Sequence, residues 1–565
     1  MNQEQLLKHF DRIVDAPDAV PRLRRFILDL AVRGKLEEQD PDDEPAAELL
    51  KRIQATKAGR NLKDRAKPGK GKYIADTDQT AYQLPSGWTW VSLADLTAVL
   101  NGRAYSKNEL LDEGTPVLRV GNLFTSDHWY YSNLTLDDDK YCDEGDLLFS
   151  WSASFGPFIW PGPKVIYHYH IWKLSLHDEL NLDKNYFYRF LLHKTQEIKD
   201  SGHGVSMLHM TKEKMELVQV PLPPLAEQHR IVAKVDELMA LCDRLEAAQN
   251  KREQRRDRLV AASLSRINQP APSAEGETTL REHARFHLIH FPRLTTRPEH
   301  IKTLRQTILN LAVRGRLVPQ DQNDEPASTT LVKNDTNRKA IASHDRRADA
   351  DAQELLAQDA RWNVPASWCW RGVADLALFI DYRGKTPTKL KSGVRLITAK
   401  NVKPGVINHY PEEFISEDVY SSWMTRGIPK DGDVLFTTEA PMGNAAVVHI
   451  PGRFALAQRV INFSLYGAID ADFLVLQLLS EPFQAILSKT ATGMTAKGIK
   501  AAKLKRLPLT IPPLAEQHRI VAKVDELMAV CDQLEANLTT TQTDSRRLLE
   551  AVLRDALAPA LEAAA

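Results

Sequence analysis

Residues 223–247 read PPLAEQHRIVAKVDELMALCDRLEA, and residues 512–536 read PPLAEQHRIVAKVDELMAVCDQLEA, differing at Leu241/Val530 and Arg244/Gln533. A near-verbatim repeat inside one chain marks one structural unit used twice. The repeated stretch reads as the start of a helix. Pro223-Pro224 and Pro512-Pro513 stand where a missing N–H costs nothing, and Glu227 and Glu516 fall in the positive first turn. Ile231, Val235, Leu238, Cys242 and Leu245 follow the alternating spacing of a coiled-coil seam. Ile520, Val524, Leu527, Cys531 and Leu534 repeat it, and Leu538, Leu548 and Val552 carry the second copy further. From Ala226 to about Arg266 the first helix would span roughly 60 Å. The two stripes are expected to pack on each other. The charged face is identical in both copies, which a seam alone does not require. A partner binding the same face twice would explain it, through Glu227, Arg230, Lys234 and Glu237 in one copy and Glu516, Arg519, Lys523 and Glu526 in the other.

Working outward, LRRFILDLAVRGKLEEQDPDDEPA from Leu23 matches LRQTILNLAVRGRLVPQDQNDEPA from Leu304. Ile27, Leu28, Leu30 and Ala31, like Ile308, Leu309, Leu311 and Ala312, have helical spacing, and Gly34 and Gly315 are placed to end each helix through positive φ. The acidic runs that follow lack the glycine and terminal glutamate of a calcium loop, so they read as polar turns. Two polar stretches, about 55–80 and 332–355, read as solvated linkers. Two globular segments then open alike, LPSGWTWVSLADL from Leu84 and VPASWCWRGVADL from Val364. Each continues with short β-type runs (116–120 and 394–397) and shares one phrase, 145–150 GDLLFS and 432–437 GDVLFT, a turn entering a buried strand. Elsewhere the two segments have drifted apart, so mixed α/β domains with one framework and two surfaces are expected.

Composition is that of an ordinary globular protein, with 43% hydrophobic and 26% charged residues in 565. No apolar run reaches the roughly 18–20 residues that span a bilayer, and the polar start is unlike a secretory signal, so a cytoplasmic protein with no membrane partner is expected. Lys plus Arg equals Asp plus Glu at 74 each, which neither supports nor excludes a nucleic-acid partner. Cys142, Cys242, Cys369 and Cys531 form no CxxC pair and read as small buried residues. Gly384-Lys385-Thr386 resembles the end of a phosphate loop, but Phe379 stands where its first glycine must be. The chain has no methyltransferase Asn/Asp-Pro-Pro-Tyr/Phe segment, GxGxxG, HExxH, GxSxG or nuclease-type acidic cluster. His168 and His170 read as packing or surface groups. This argues against a self-contained enzyme and assigns the chain no catalytic or metal-binding residue.

The two PPLAEQ-x-x-I helix starts, each behind a globular segment, and the GDLLFS/GDVLFT phrase closely resemble the specificity (S) subunit of Type I restriction-modification systems, over nearly the full length. The resemblance implies an α+β protein: two mixed α/β target-recognition domains separated by two long antiparallel coiled-coil helices, with an internal pseudo-twofold repeat. The expected segments are an N-terminal helical region 1–50, a basic linker 51–83, recognition domain 1 at 84–224, and the central long helix 225–268. A linker 269–296, a repeated helix and turn 297–330, a linker 331–363, recognition domain 2 at 364–513, and the C-terminal long helix 514–560 follow. It further implies double-stranded DNA as ligand, one half of an asymmetric bipartite site per domain. Two adenine-N6 methyltransferase (M) subunits carrying S-adenosylmethionine, and restriction (R) subunits using ATP and Mg, would be partners, with no cofactor in this chain. A methylation-only complex and a coiled-coil scaffold without DNA binding are the alternatives.

Arg and Lys suit guanine, Asn suits adenine, and Ser and Thr suit several partners. On that chemistry the candidate base-reading residues in domain 1 are Arg103, Tyr105, Lys107, Arg119, Asn122, Ser152 and Ser154. In domain 2 they are Arg383, Lys385, Thr386, Lys400, Asn401 and Thr438. Lys497, Lys500 and Lys503, with Lys505 and Arg506, form an acid-free stretch suited to phosphates.

Overall fold

The computed structural model describes residues 16, 18–59, 82–152, 154–201, 210–268, 275–348, 354–356, 362–382, 386–457, 459–493 and 497–557. The chain divides into two compact units, 1–251 with 542–565, and 252–541.

Unit 1 opens with helix α1 (Ala19–Val32), which buries Val20, Ile27, Leu28 and Ala31. Gly34 ends it with φ +66°, and the Lys35 N–H donates back to the Leu30 carbonyl at 2.9 Å. Helix α2 (Ala46–Gly59) buries Leu49 and Ile53. Domain 1 is closed at its root by β1 (Thr89–Ser92) pairing antiparallel with β10 (Gln219–Leu222), so the segment leaves where it entered. Strands β2 (Thr97–Asn101), β6 (Leu147–Ser150), β7 (Gly156–Ile159) and β9 (Ile171–Leu176) form a sheet in the order β2-β9-β6-β7. Helix α3 (Lys184–Ser201) packs on β7 and on α1. A second sheet, in the order β4-β3-β8-β5, joins β3 (Thr115–Leu118), β4 (Tyr130–Ser132), β5 (Tyr141–Cys142) and β8 (Val165–Tyr167), with β3 and β8 parallel. The shared phrase behaves as its composition dictates: Gly145 takes φ +83° and β6 is buried on both faces.

The long helix α4 (Leu225–Asn268) has 44 residues, about 66 Å at about 1.5 Å each. It belongs to unit 1 as far as Lys251 and to unit 2 from Arg252. Ile231, Val235 and Cys242 lie in one core with Val20, Ile27 and Leu28 of α1 and with Trp88. Within unit 2, its Val260, Leu264 and Ile267 pack with Leu294 of α5 (Glu275–Leu294).

Unit 2 repeats the plan. Helix α6 (Pro298–Ala312) matches α1, and Gly315 (φ +68°) ends it like Gly34. Helix α7 (Ala327–Ala342) matches α2. Domain 2 is rooted by β11 (Cys369–Gly372) on β21 (Pro508–Ile511). Its main sheet runs β12-β20-β17-β18, from β12 (Ala377–Asp381), β17 (Val434–Thr438), β18 (Met442–Val447) and β20 (Val460–Leu465). Strands β13 (Val394–Ile397), β16 (Phe414–Ile415) and β19 (Phe454–Leu456) form a second sheet, β16-β13-β19, and β14 (Val402–Lys403) pairs with β15 (Val406–Ile407). Helices α8 (Ala471–Leu479) and α9 (Glu481–Thr490) complete the domain. The second long helix, α10 (Leu514–Leu557), again has 44 residues, and its Ile520, Val524 and Cys531 share a core with Ile301, Ile308 and Trp368. Leu549 and Val552, on its unit 1 portion, pack with Ala16 and Ala19.

Three expectations need correction. The first part of each heptad stripe is covered by the short helix of its own unit, because α1 and α6 bring matching apolar faces that also need cover. The linker expected at 331–363 begins as a helix, since Leu331, Asn334 and Arg338 of α7 are buried. Asn334 donates to the Asp375 carbonyl, and the Arg338 guanidinium pairs with Asp375 and Asp335, which offsets much of their desolvation. The linker expected at 269–296 contains α5, held by Leu294 in the core and by His287 against the Ser263 hydroxyl at 2.8 Å. Most of the basic linker 51–83 lies outside the described residues, and its first part continues α2.

Candidate nucleic-acid interface and the roots of the long helices

The identical residues at the start of α4 and α10 build an internal latch. The Glu227 carboxylate, 1% exposed, accepts the Trp88 indole N–H at 2.8 Å and the Gln39 amide N–H at 2.7 Å. Glu516 repeats this with Trp368 and Gln320. Arg230 pairs with Asp43 of the acidic turn and Arg519 with Asp324. The Gln228 amide oxygen accepts the Asp183 N–H, and that of Gln517 accepts the Asp470 N–H. Thus Glu227 and Glu516, expected to face a partner, are spent within their own units, since a buried carboxylate cannot be offered to a second protein. Arg230 and Arg519, held by Asp43 and Asp324, keep 35% and 38% of their side chains exposed. Lys234 with Glu237, and Lys523 with Glu526, form i,i+3 pairs at the surface and remain candidates for that role.

Burial raises the carboxyl pKa of Glu227 and of Glu516, against the indole and amide hydrogen bonds that lower it. A folded-state value above the unfolded one favours the fold when protonated. The contribution is full below the ordinary value of 4.5 and is lost as pH rises through the raised one. Glu227→Gln should therefore flatten the fall in unfolding midpoint from acid to neutral pH. Glu227→Ala, which strands the buried Trp88 indole N–H while the exposed Gln39 keeps the Gly34 carbonyl, should cost about 1–3 kcal/mol. Denaturation midpoints across that range check both; a slope unchanged by the Gln variant refutes the assignment.

In domain 1, the Arg103 guanidinium lies over the Tyr105 ring at 5.3 Å and pairs with Glu109 at 2.7 Å. The Arg103 bond holds the Glu109 carboxyl down to about 2. Arg103 Nη1 and the Tyr105 hydroxyl are buried without a hydrogen-bond partner. Lys107 and Arg119 are exposed, Arg119 over the Tyr130 ring at 5.1 Å. Ser152 and Ser154 are half-buried in the β6–β7 loop. The Asn122 side chain instead braces its own turn, accepting the Arg119 N–H at 3.0 Å and donating to the His128 carbonyl at 2.8 Å.

In domain 2, Thr386, Lys400, Lys497, Lys500 and Lys503 are exposed, while Arg383 and Lys385 lie outside the described residues. Asn401 and Thr438 are corrections. Asn401, 1% exposed, accepts from the Thr398 N–H and hydroxyl and donates to the Asn408 and Pro411 carbonyls. Thr438 is buried and donates its hydroxyl to the Arg459 carbonyl at 3.2 Å. Both hold loops. Arg506 is tied to Glu354, and Lys505 sits over the Phe379 ring.

Sequence reasoning set aside an aromatic group that the fold assembles beside Tyr105. His168 lies 4.5 Å from the Tyr169 ring and 4.8 Å from that of His170, and Trp151 lies 5.0 Å from His170. Burial lowers the His168 pKa to about 4, leaving a neutral ring at physiological pH. The signal available was the density of aromatic residues in 167–172, where His168 and His170 flank Tyr169. Among the described residues no group of three or more His, Cys, Asp or Glu side chains could hold a metal ion, and no helix is long and apolar enough to cross a membrane.

Two strand-rich domains of one framework, each rooted on an equivalent long helix, define a duplicated recognition protein. The family model for the Type I restriction modification DNA specificity domain matches residues 85–253 and 421–541, and the chain belongs to that family. It is 28% identical to the Type I restriction enzyme EcoAI specificity subunit of Escherichia coli, over 94% of this chain and 93% of that one. It is 26% identical to the EcoEI specificity subunit of Escherichia coli, over 95% and 94%. The HsdS subunit from Thermoanaerobacter tengcongensis matches at 17% identity with a TM-score of 0.41, covering 85% of this chain and 98% of that one. Specificity subunits are the non-catalytic DNA-recognition components of Type I systems.

Proposed function

We propose that this chain reads an asymmetric, bipartite DNA site, with domain 1 on one half-site and domain 2 on the other. It would recruit two adenine-N6 methyltransferase subunits, which hold S-adenosylmethionine, and restriction subunits, which use ATP and Mg. The observation that carries this reading is one framework with two surfaces. The root strands, the shared buried strand and the helix latch recur in both domains, whereas the side chains around the strand ends differ. Base-edge contacts specify sequence and phosphate contacts fix register, so two unlike surfaces suit two unlike half-sites. Lys234/Glu237 and Lys523/Glu526, exposed once per copy, suit a partner that binds twice. Replacing 364–513 with the corresponding segment of another family member should change one half-site of the methylated sequence and leave the other intact. Mapping modified adenines in cells carrying the complete system tests this; a change in both half-sites, or in neither, overturns it.

A further inference from the structure

The corner of domain 2 where β17 ends and β20 begins holds two uncommon backbones. Among the described residues, Ala440 (φ +41°) and Arg459 (φ +64°) are the non-glycine residues with positive φ, and both are here. Side-chain-bearing residues adopt that region reluctantly, and such strain gathers where function needs a fixed side chain. The corner is rigidly tied. The Thr438 N–H donates to the Arg459 carbonyl at 2.9 Å, the Ile499 N–H donates to the Thr438 carbonyl at 3.1 Å, and Glu439 bridges to Gly498. The Arg459 side chain remains 49% exposed. Its closest approach to Glu439 is from Nε to Oε2 at 3.5 Å, along the inner edge of the guanidinium. Exposed Lys497 and Lys500 flank the same bridge, where they can meet phosphates.

Pairing registers identify the equivalent corner in domain 1. Ser150 sits opposite Ile171 as Thr437 sits opposite Val460, which equates Trp151 with Thr438, Ser152 with Glu439, and His170 with Arg459. Identical framework positions thus carry unlike chemistry, as reading unlike sequences requires.

We infer that Arg459 is a specificity-determining residue of domain 2 that reads a guanine in its half-site, with Glu439 as the positioning residue that orients its guanidinium. This rests on the DNA-reading function proposed above. The guanidinium fork matches guanine O6 and N7 in the major groove, and a carboxylate at Nε aims the fork without occupying it. A plain surface ion pair would gain little and would not call for a left-handed arginine.

The test uses the full chain in complex with its methyltransferase subunits, a modified-adenine map, and binding to the mapped duplex. Arg459→Gly relieves the backbone while removing the fork, so its melting midpoint should equal or exceed that of the parent. Its map should lose discrimination at one G·C pair of one half-site, with binding to the parent sequence weakened about 10- to 100-fold. Glu439→Gln should weaken the same discrimination without moving it elsewhere. An unchanged sequence at full occupancy, or a loss spread evenly over all sequences as for a phosphate contact, overturns the inference while leaving the DNA-reading function standing. If the parent complex marks no defined sequence, that function fails first and this inference with it.

Discussion

Asp375→Ala is expected to destabilise unit 2 by about 3–5 kcal/mol, because it leaves the buried Arg338 guanidinium with only the half-buried Asp335 at 3.1 Å and takes the acceptor from the Gly372 N–H. Arg338 and Asp375 are each 2% exposed and joined from Nη1 to Oδ1 at 2.9 Å. The second carboxylate oxygen accepts the Gly372 N–H at 2.9 Å. The repeat supplies a control. In domain 1 the equivalent pair is Lys57 and Asp95, 3.5 Å apart and about 40% exposed, where solvent screens the charges. Asp95→Ala should therefore stay within about 1 kcal/mol. Combining Asp375→Ala with Arg338→Met should recover most of the loss, since removing both charges removes the penalty. Hydrogen exchange of α7 and β11 amides, read beside denaturation midpoints, assigns the effect to unit 2. Equal costs for the two Asp variants would refute the burial argument.

Gly315→Ala and Gly34→Ala should be the next most damaging changes. Both glycines have left-handed backbones, which cost a side-chain-bearing residue roughly 1–2 kcal/mol. An added Cβ would also lie 2.6 Å from Pro365 Cγ at Gly315 and 2.4 Å from Pro85 Cγ at Gly34, with Trp368 and Trp88 just beyond. Overpacking of that kind adds about 1–3 kcal/mol. Each substitution therefore pushes on the tryptophan that latches Glu516 or Glu227, and the unfolding midpoint of the unit concerned should fall. A loss below about 0.5 kcal/mol in either variant would mean that the proline ring yields.

Much of this was legible along the chain because its causes are local. The long helices follow from Pro-Pro starts and an unbroken heptad stripe; Leu225–Asn268 brackets the expected 226–266. The stops at Gly34 and Gly315, and the Gly145 and Gly432 turns into buried strands, follow from residues that alone tolerate positive φ freely. The repeat, and with it the family, was evident from identity between distant stretches. Residue chemistry also brought Arg103 and Tyr105 to notice, and the fold places them side by side.

What remained hidden depends on partners far away in sequence. Glu227 looked like a surface charge in a helix's first turn, and only the fold brings Trp88, 139 positions earlier, onto it. Asn401 and Thr438 have the chemistry of base readers, but the fold brings carbonyls onto them, Pro411 onto Asn401 and Arg459 onto Thr438, that consume their hydrogen bonds. The polar α7 resembled a linker because Arg338 is a burial liability until Asp375 neutralises it. Arg459 carries no motif: its backbone and exposure are set by three loop segments meeting at one corner. The sequence by itself determined which elements form and that they form twice, since periodicity, caps and glycine conformation are properties of neighbours. Tertiary structure decided which charged side chains are spent internally and which face outward, because desolvation and hydrogen-bond satisfaction are settled only when distant segments meet.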